Sequence, residues 1–174
     1  LPGAYQQNTA QYRPAPGEVD LIANVAGRGT VVIQLHTRQS PRATTHIAAL
    51  ARSGFYDGQR FFRVLNQPRP YLVQIGDPAS RTEPMNSPRL GLGGSGISVR
   101  YEATGFSHEE GAVALATANG NRDTGDSQFY ILLGNYSKLL DGTDIVFAKV
   151  VQGLDVVRRI ELGDTLLTLR VVQG

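Results

Sequence analysis

Apolar residues in this chain arrive in short runs, each cut off by glycine, proline or a cluster of small polar residues. That punctuation limits the fold more than any other feature of the sequence. Val19 to Val25 alternates apolar and polar positions, Gly27 and Gly29 bracket a turn, and Thr30 to Thr37 alternates again, which predicts a β-hairpin. Further strand-like runs are Arg60 to Leu65, Tyr71 to Gly76, Gly111 to Thr117, Ser127 to Leu133, Asp144 to Val151 and Thr165 to Val172. Helical spacing occurs in two places. Ser40 stands as an N-cap before Pro41, with Ala43, Ile47, Leu50 and Ala51 recurring until Gly54. Leu154, Val157 and Ile160 give one face of a second, short helix after Gly153. Roughly eight strands and two helices, with no βαβ alternation and no internal repeat, predict a mainly β fold, an antiparallel barrel capped by helices rather than a doubly wound sheet.

At 174 residues and 41% hydrophobic, the chain is sized to bury one core without disulfide staples. The polar, Pro-rich residues 1–18 read as an N-terminal tail or linker, and 19–174 as the folded domain. Because the chain begins at Leu1, the tail is expected to be what remains after a leader or anchor is removed, which points to an extracytoplasmic setting. The net charge of +2 is small and basic residues are scattered among acidic ones, so no nucleic-acid footprint is expected. With no cysteine, disulfides, thiolate metal sites and cysteine nucleophiles are excluded. No apolar stretch is long enough to cross a bilayer. No long apolar edge advertises a partner, so a monomer is expected.

Several motifs suggest chemistry that their surroundings do not support. Gly91-Leu92-Gly93-Gly94-Ser95-Gly96 satisfies GxGxxG, yet it follows Ser87-Pro88 and precedes β-prone Ile97-Ser98-Val99, not a strand-to-helix turn; a flexible loop is the expectation. Gly125-Asp126-Ser127 echoes a serine nucleophile, but Gln128-Phe129 replaces the glycines of an oxyanion hole. Asn119, Asn121 and Asp123 have calcium-loop spacing without a closing bidentate Glu, so an ordinary polar turn is expected. His36, His46 and His108 lie apart with no second ligand at metal spacing, and no metal is expected.

Phe61-Phe62-Arg63-Val64-Leu65 followed by Tyr71-Leu72-Val73-Gln74-Ile75-Gly76-Asp77 is harder to explain as packing. Strand alternation puts Phe61, Arg63 and Leu65 on one face, and Tyr71, Val73 and Ile75 opposite Leu72 and Gln74. An arginine among apolar neighbours must be paired or useful.

Here the chain resembles the cyclophilin family. The segments that carry the resemblance are Phe55-Tyr56-Asp57-Gly58 with Phe61-Phe62-Arg63-Val64, Gln74-Ile75-Gly76-Asp77-Pro78, Ala116-Thr117-Ala118-Asn119, Asp126-Ser127-Gln128-Phe129-Tyr130-Ile131, and Leu140-Asp141-Gly142 with Val146-Phe147-Ala148-Lys149-Val150. They occur in family order across Val19 to Val172. The resemblance implies a closed eight-stranded antiparallel barrel capped by two α-helices, with its groove on the outer surface. It also implies a peptidyl-prolyl cis-trans isomerase that assists protein folding, needs no cofactor and acts on Pro-containing polypeptide segments.

Carried over position by position, it implies that Arg63 donates hydrogen bonds around the prolyl peptide unit and that Gln74 reaches the substrate backbone. Ala118, Asn119 and Gln128 would line the groove beside the proline, and Tyr71, Leu72, Tyr130 and Leu139 its apolar pocket. Departures from the family pattern stand beside these matches. Tyr71 follows Arg63 at a longer interval than the family's phenylalanine, implying an insertion around Asn66 to Pro70; Tyr130 stands where phenylalanine is usual, Leu139 where tryptophan is frequent, and Asp144 where histidine is frequent. Those departures keep a second reading open, a catalytically weak scaffold or holdase that binds proline segments on the same barrel.

Overall fold

The computed structural model describes residues 12–174. The strands are β1 (Val19–Val25), β2 (Gly29–Leu35), β3 (Arg63–Leu65), β4 (Leu72–Ile75), β5 (Ala112–Leu115), β6 (Phe129–Leu132), β7 (Val146–Gln152) and β8 (Leu166–Gln173). The helices are α1 (Pro41–Arg52), α2 (Ser137–Leu140) and α3 (Leu154–Arg159). All eight strands join one antiparallel sheet in the order β3-β4-β6-β5-β7-β2-β1-β8. The sheet curls into a half-barrel around a core built from alternate strand residues such as Leu21, Ile33, Ile75, Val113, Phe129 and Phe147. Ile47 and Ala51 of α1 and Val156 and Val157 of α3 pack into the same core.

Three helices form where the spacing predicts two. The third, α2, is a single turn, too short to print a helical period on the sequence. The start of α1 also differs from expectation. Ser40 occupies the cap position, but its hydroxyl accepts nothing from the helix. It donates instead to Glu102 at 2.7 Å, and the Glu102 carboxylate accepts the N–H groups of Arg42 at 2.8 Å and Ala43 at 3.2 Å. A carboxylate from a distant loop thus takes over the orphaned first-turn donors, with the helix dipole in its favour.

Edge strands β3 and β8 are linked through the segment just before β3. Gly58 N–H donates to Leu166 O, Leu166 N–H to Gln59 O, Phe61 N–H to Asp164 O and Gly163 N–H to Phe61 O, all at 2.8 to 2.9 Å. Those bonds break the simple alternation expected for residues 61–65. Phe61 belongs to the segment tied to β8 and is buried in the core, whereas Arg63, on a separate ladder, is exposed on the outside. Tyr71 likewise parts company with Val73 and Ile75: they face the core, while its ring lies with Leu72 in a second, outer apolar cluster.

Residues 1–11 of the expected tail lie outside the described residues. Of the remainder, Pro14 is buried, the Tyr12 hydroxyl donates to Asp20 on β1, and Gly174 N–H donates to Glu18 O.

Candidate active site

The site is a consequence of register. Arg63 on β3 pairs with Gln74 on β4, Gln74 with Tyr130 on β6, and Tyr130 with Ala114 on β5, so one row of side chains crosses the outer face of the sheet. One step along, Leu65 pairs with Leu72 and Leu72 with Leu132. The outer face therefore has a polar end at Arg63 and Gln74 and an apolar end formed by Leu72, Ala112, Ala114, Leu132 and Val146, with Tyr130 spanning both.

The polar end is wired in one direction. Arg63 Nη1 donates to Gln74 Oε1 at 3.1 Å, Gln74 Nε2 to Gln128 Oε1 at 3.0 Å, and Gln128 Nε2 to the Gly93 carbonyl at 2.8 Å. Gln74 is buried while Arg63 is exposed, and the other guanidinium N–H groups meet no acceptor among the described residues. The backbone beneath is close-packed. Gly76 has φ +117°, and a Cβ there would lie 2.2 Å from Ser127 O, so only glycine lets β4 leave the sheet toward Asp77 at this point. Ser127 donates its hydroxyl to Gly76 O at 2.6 Å and is fully buried, which disposes of a serine nucleophile.

Arg63, Gln74, Ala118 and Gln128 line one groove of about 630 Å³, together with Phe62, Met85, Asp126 and the 90–93 stretch. The GxGxxG segment walls this groove and is pinned, not flexible: Gly91 and Gly93 N–H donate to Asp77, and Gly96 N–H and the Ser95 hydroxyl to Asp126. Tyr71, Leu72 and Tyr130 sit in the adjoining outer cluster. The Tyr71 ring lies 4.2 Å from that of Tyr136, whose hydroxyl donates to Pro70 O at 2.9 Å and ties down the insertion. Asn119 is exposed with φ +54°, and Leu139 on α2 is 66% exposed; neither lines the groove.

Tyr130 is 4% exposed, and its hydroxyl donates to Asp144 at 2.5 Å. Burial, then the Asp144 charge and hydrogen bond, push the phenol far above its ordinary pKa, with Tyr71 adding to the rise and Arg63 opposing it. Among the described residues no cluster of three or more His, Asp or Glu is placed to hold a metal ion. Asn121 and Asp123 serve a polar turn, Asn121 accepting from Asp123 N–H and Asp123 from Tyr101 N–H. Sequence reasoning missed Phe62, Met85 and Asp126 as groove residues. The glycine spacing at 91–96 signalled close backbone approach but not its partners.

Residues 19–173 match the family model described as cyclophilin type peptidyl-prolyl cis-trans isomerase/CLD. The chain is 33% identical over 141 residues to peptidyl-prolyl cis-trans isomerase B of Bacillus subtilis, covering 81% of this chain and 90% of that protein. It is 31% identical over 140 residues to mouse peptidyl-prolyl cis-trans isomerase-like 1, covering 79% and 76% respectively. In fold it is similar to the crystal structure of a Cryptosporidium parvum cyclophilin type peptidyl-prolyl cis-trans isomerase, with TM-score 0.75 at 18% identity over 90% of this chain and 99% of that one.

Proposed function

The chain belongs to the cyclophilin-type peptidyl-prolyl cis-trans isomerase family, and on that premise we propose that Arg63 is the catalytic residue of an X-Pro isomerase whose proline seat is the outer apolar cluster. The enzyme class follows from the family; the residue roles are this proposal. The observation that carries it is a guanidinium with unused donors opening onto a groove shared with Gln74, Ala118 and Gln128, next to the outer apolar cluster on the same face of the sheet.

Rotation about the X-Pro bond faces a barrier of about 18 to 20 kcal/mol because the nitrogen lone pair is delocalised into the carbonyl. No bond breaks. In the twisted transition state the lone pair localises on nitrogen, and a guanidinium N–H placed there bonds it better than in the planar ground state. Raising exchange from about 0.01 to about 1,000 per second requires removing about 7 kcal/mol. One charge-assisted hydrogen bond supplies about 1.5 to 3 kcal/mol. The remainder falls to the apolar seat for the pyrrolidine at Tyr71, Leu72 and Tyr130, to Gln74 reaching the substrate backbone, and to Ala118 and Gln128 lining the groove beside the proline, while Asn119 and Leu139, which lie off the groove, are left without a part in it. Gln74 has a second task, since its Oε1 fixes the near edge of the guanidinium and leaves the far edge for substrate.

The same proposal takes 19–174 as the catalytic domain behind a Pro-rich 1–18 tail. It reads the β3 to β8 bonding through Gly58 to Phe61 as closing the barrel, with α1 and α3 as its caps. The clients are Pro-containing segments of folding polypeptides, met by a monomer. No described helix is long and apolar enough to cross a membrane. The test is the cis/trans exchange rate of an Ala-Pro peptide with catalytic amounts of protein. Acceleration is expected; peptide binding without acceleration would mark a scaffold.

A further inference from the structure

The relay that ends on Arg63 starts at the Gly93 carbonyl, and the structure shows what holds that carbonyl in place. A side-chain amide has one accepting and one donating end. Gly93 O can only accept, so Gln128 must turn its NH2 toward it; Gln128 Oε1 then faces the Gln74 NH2, and Gln74 Oε1 is left for Arg63. If Gln128 flipped, oxygen would meet oxygen and NH2 would meet NH2. Gln74 is 6% exposed, so water is poorly placed to mend such a mismatch. The accept-only carbonyl of Gly93 and the donate-only guanidinium therefore agree on one sense for the relay, and Gly93 fixes its position at the loop end.

Gly93 lies in a stretch with no strand or helix of its own. What anchors it is Asp77, which is fully buried. One carboxylate oxygen accepts Gly91 N–H at 2.8 Å and Gly93 N–H at 3.3 Å, and the other accepts Ala79 N–H at 2.9 Å from the short 3-10 turn Pro78–Arg81. The approach is close enough that a Cβ on Gly93 would lie 2.3 Å from Asp77 Oδ1. Asp126 grips the other half of the loop through Ser95 and Gly96, but it lines the groove and can meet substrate directly. Asp77 does not line it.

We infer that Asp77 is a positioning residue for the isomerisation: by pinning Gly91 and Gly93 it fixes the Gly93 carbonyl, sets both glutamine amides, and aims the Arg63 guanidinium. This rests on Arg63 being the catalytic residue. It acts through the loop and touches no substrate.

The test is a double-mutant cycle on the full chain, with exchange of an X-Pro peptide followed by NMR for wild type, Asp77→Ala, Asp77→Asn, Arg63→Ala and both combinations. Asp77→Ala should lower kcat about tenfold, with KM held within about twofold. Asparagine still offers an oxygen to Gly91 and Gly93 but presents NH2 to Ala79, so Asp77→Asn should lose only about threefold. In the Arg63→Ala background the further loss should shrink to no more than about twofold, the part that passes through Gln74 rather than the guanidinium. The Gln74 and Gln128 side-chain amide signals should shift in Asp77→Ala. Wild-type rates in both Asp77 variants, or the same loss with and without Arg63, would overturn the inference. Should Asp77→Ala not fold, the Asp77→Asn cycle decides by the same criterion. If Arg63→Ala alone costs nothing, the proposed function fails and the role of Asp77 falls with it, an outcome distinct from an Asp77 variant that matches wild type while Arg63→Ala is slow.

Discussion

The Tyr130 hydroxyl donates to one carboxylate oxygen of Asp144 at 2.5 Å, while the other oxygen takes the Thr117 hydroxyl at 2.6 Å. A polar atom set into the apolar cluster is thereby satisfied, and the buried ring packs there as nonpolar mass. Because burial and Asp144 hold the phenol protonated, it stays a donor across the working pH range.

Tyr130→Phe removes this donor without disturbing the ring, and Asp144, half-buried, can turn to water. We expect isomerase activity within about threefold of wild type and a stability loss of about 1 kcal/mol. Asp144→Ala strands the buried Tyr130 hydroxyl and should cost more, about 1 to 3 kcal/mol. Urea unfolding of the two variants gives the comparison.

Asp144 also places a carboxylate against Tyr130, at the edge of the proposed proline seat. Peptides carrying Lys or Arg next to the proline should show a higher kcat/KM than neutral ones, and the preference should shrink with added salt and in Asp144→Asn. Rates for matched peptide pairs at two ionic strengths test it; equal preference in wild type and Asp144→Asn removes Asp144 from substrate choice.

Glu102 accepts two first-turn N–H groups of α1 and the Ser40 hydroxyl. Glu102→Ala should destabilise the protein by about 1 to 2 kcal/mol. Glu102→Gln, which keeps one acceptor, should lose less. Chemical denaturation midpoints provide the measurement.

His36 stacks on Phe106 with ring centroids 3.7 Å apart, and burial, helped by the Lys149 charge, lowers its pKa from 6.5 to about 4. The unfolded chain therefore binds a proton here before the folded one does. Stability from this group is intact above about pH 6.5, falls as the pH drops toward about 4 and levels off below that, by up to about 3 kcal/mol. The difference between wild type and His36→Leu, measured by denaturation across that window, should carry this slope.

The strands and α1 were legible because alternation, turn residues and the Ser40-Pro41 pair are local signals. The cap carboxylate of Glu102 was not, since nothing near Ser40 points to it. Alternation misplaced Phe61 and Tyr71 because both lie where the chain changes bonding partner, and parity does not carry across such a break. Arg63 stood out as a charge in an apolar run, but its alignment with Gln74 and Tyr130 is a property of cross-strand register, which a single sequence does not encode. The loop at 91–96 announced itself through glycine, while the carboxylates that demand glycine there, Asp77 and Asp126, come from other parts of the chain.

The most direct measurement is the catalysed cis/trans exchange rate of an X-Pro peptide with wild type and Arg63→Ala, alongside the affinity of each for the same peptide. The account predicts that the substitution lowers kcat about a hundredfold, consistent with losing one charge-assisted hydrogen bond of about 1.5 to 3 kcal/mol, while peptide affinity changes by less than about fivefold. An Arg63→Ala protein that exchanges the peptide as fast as wild type would contradict it.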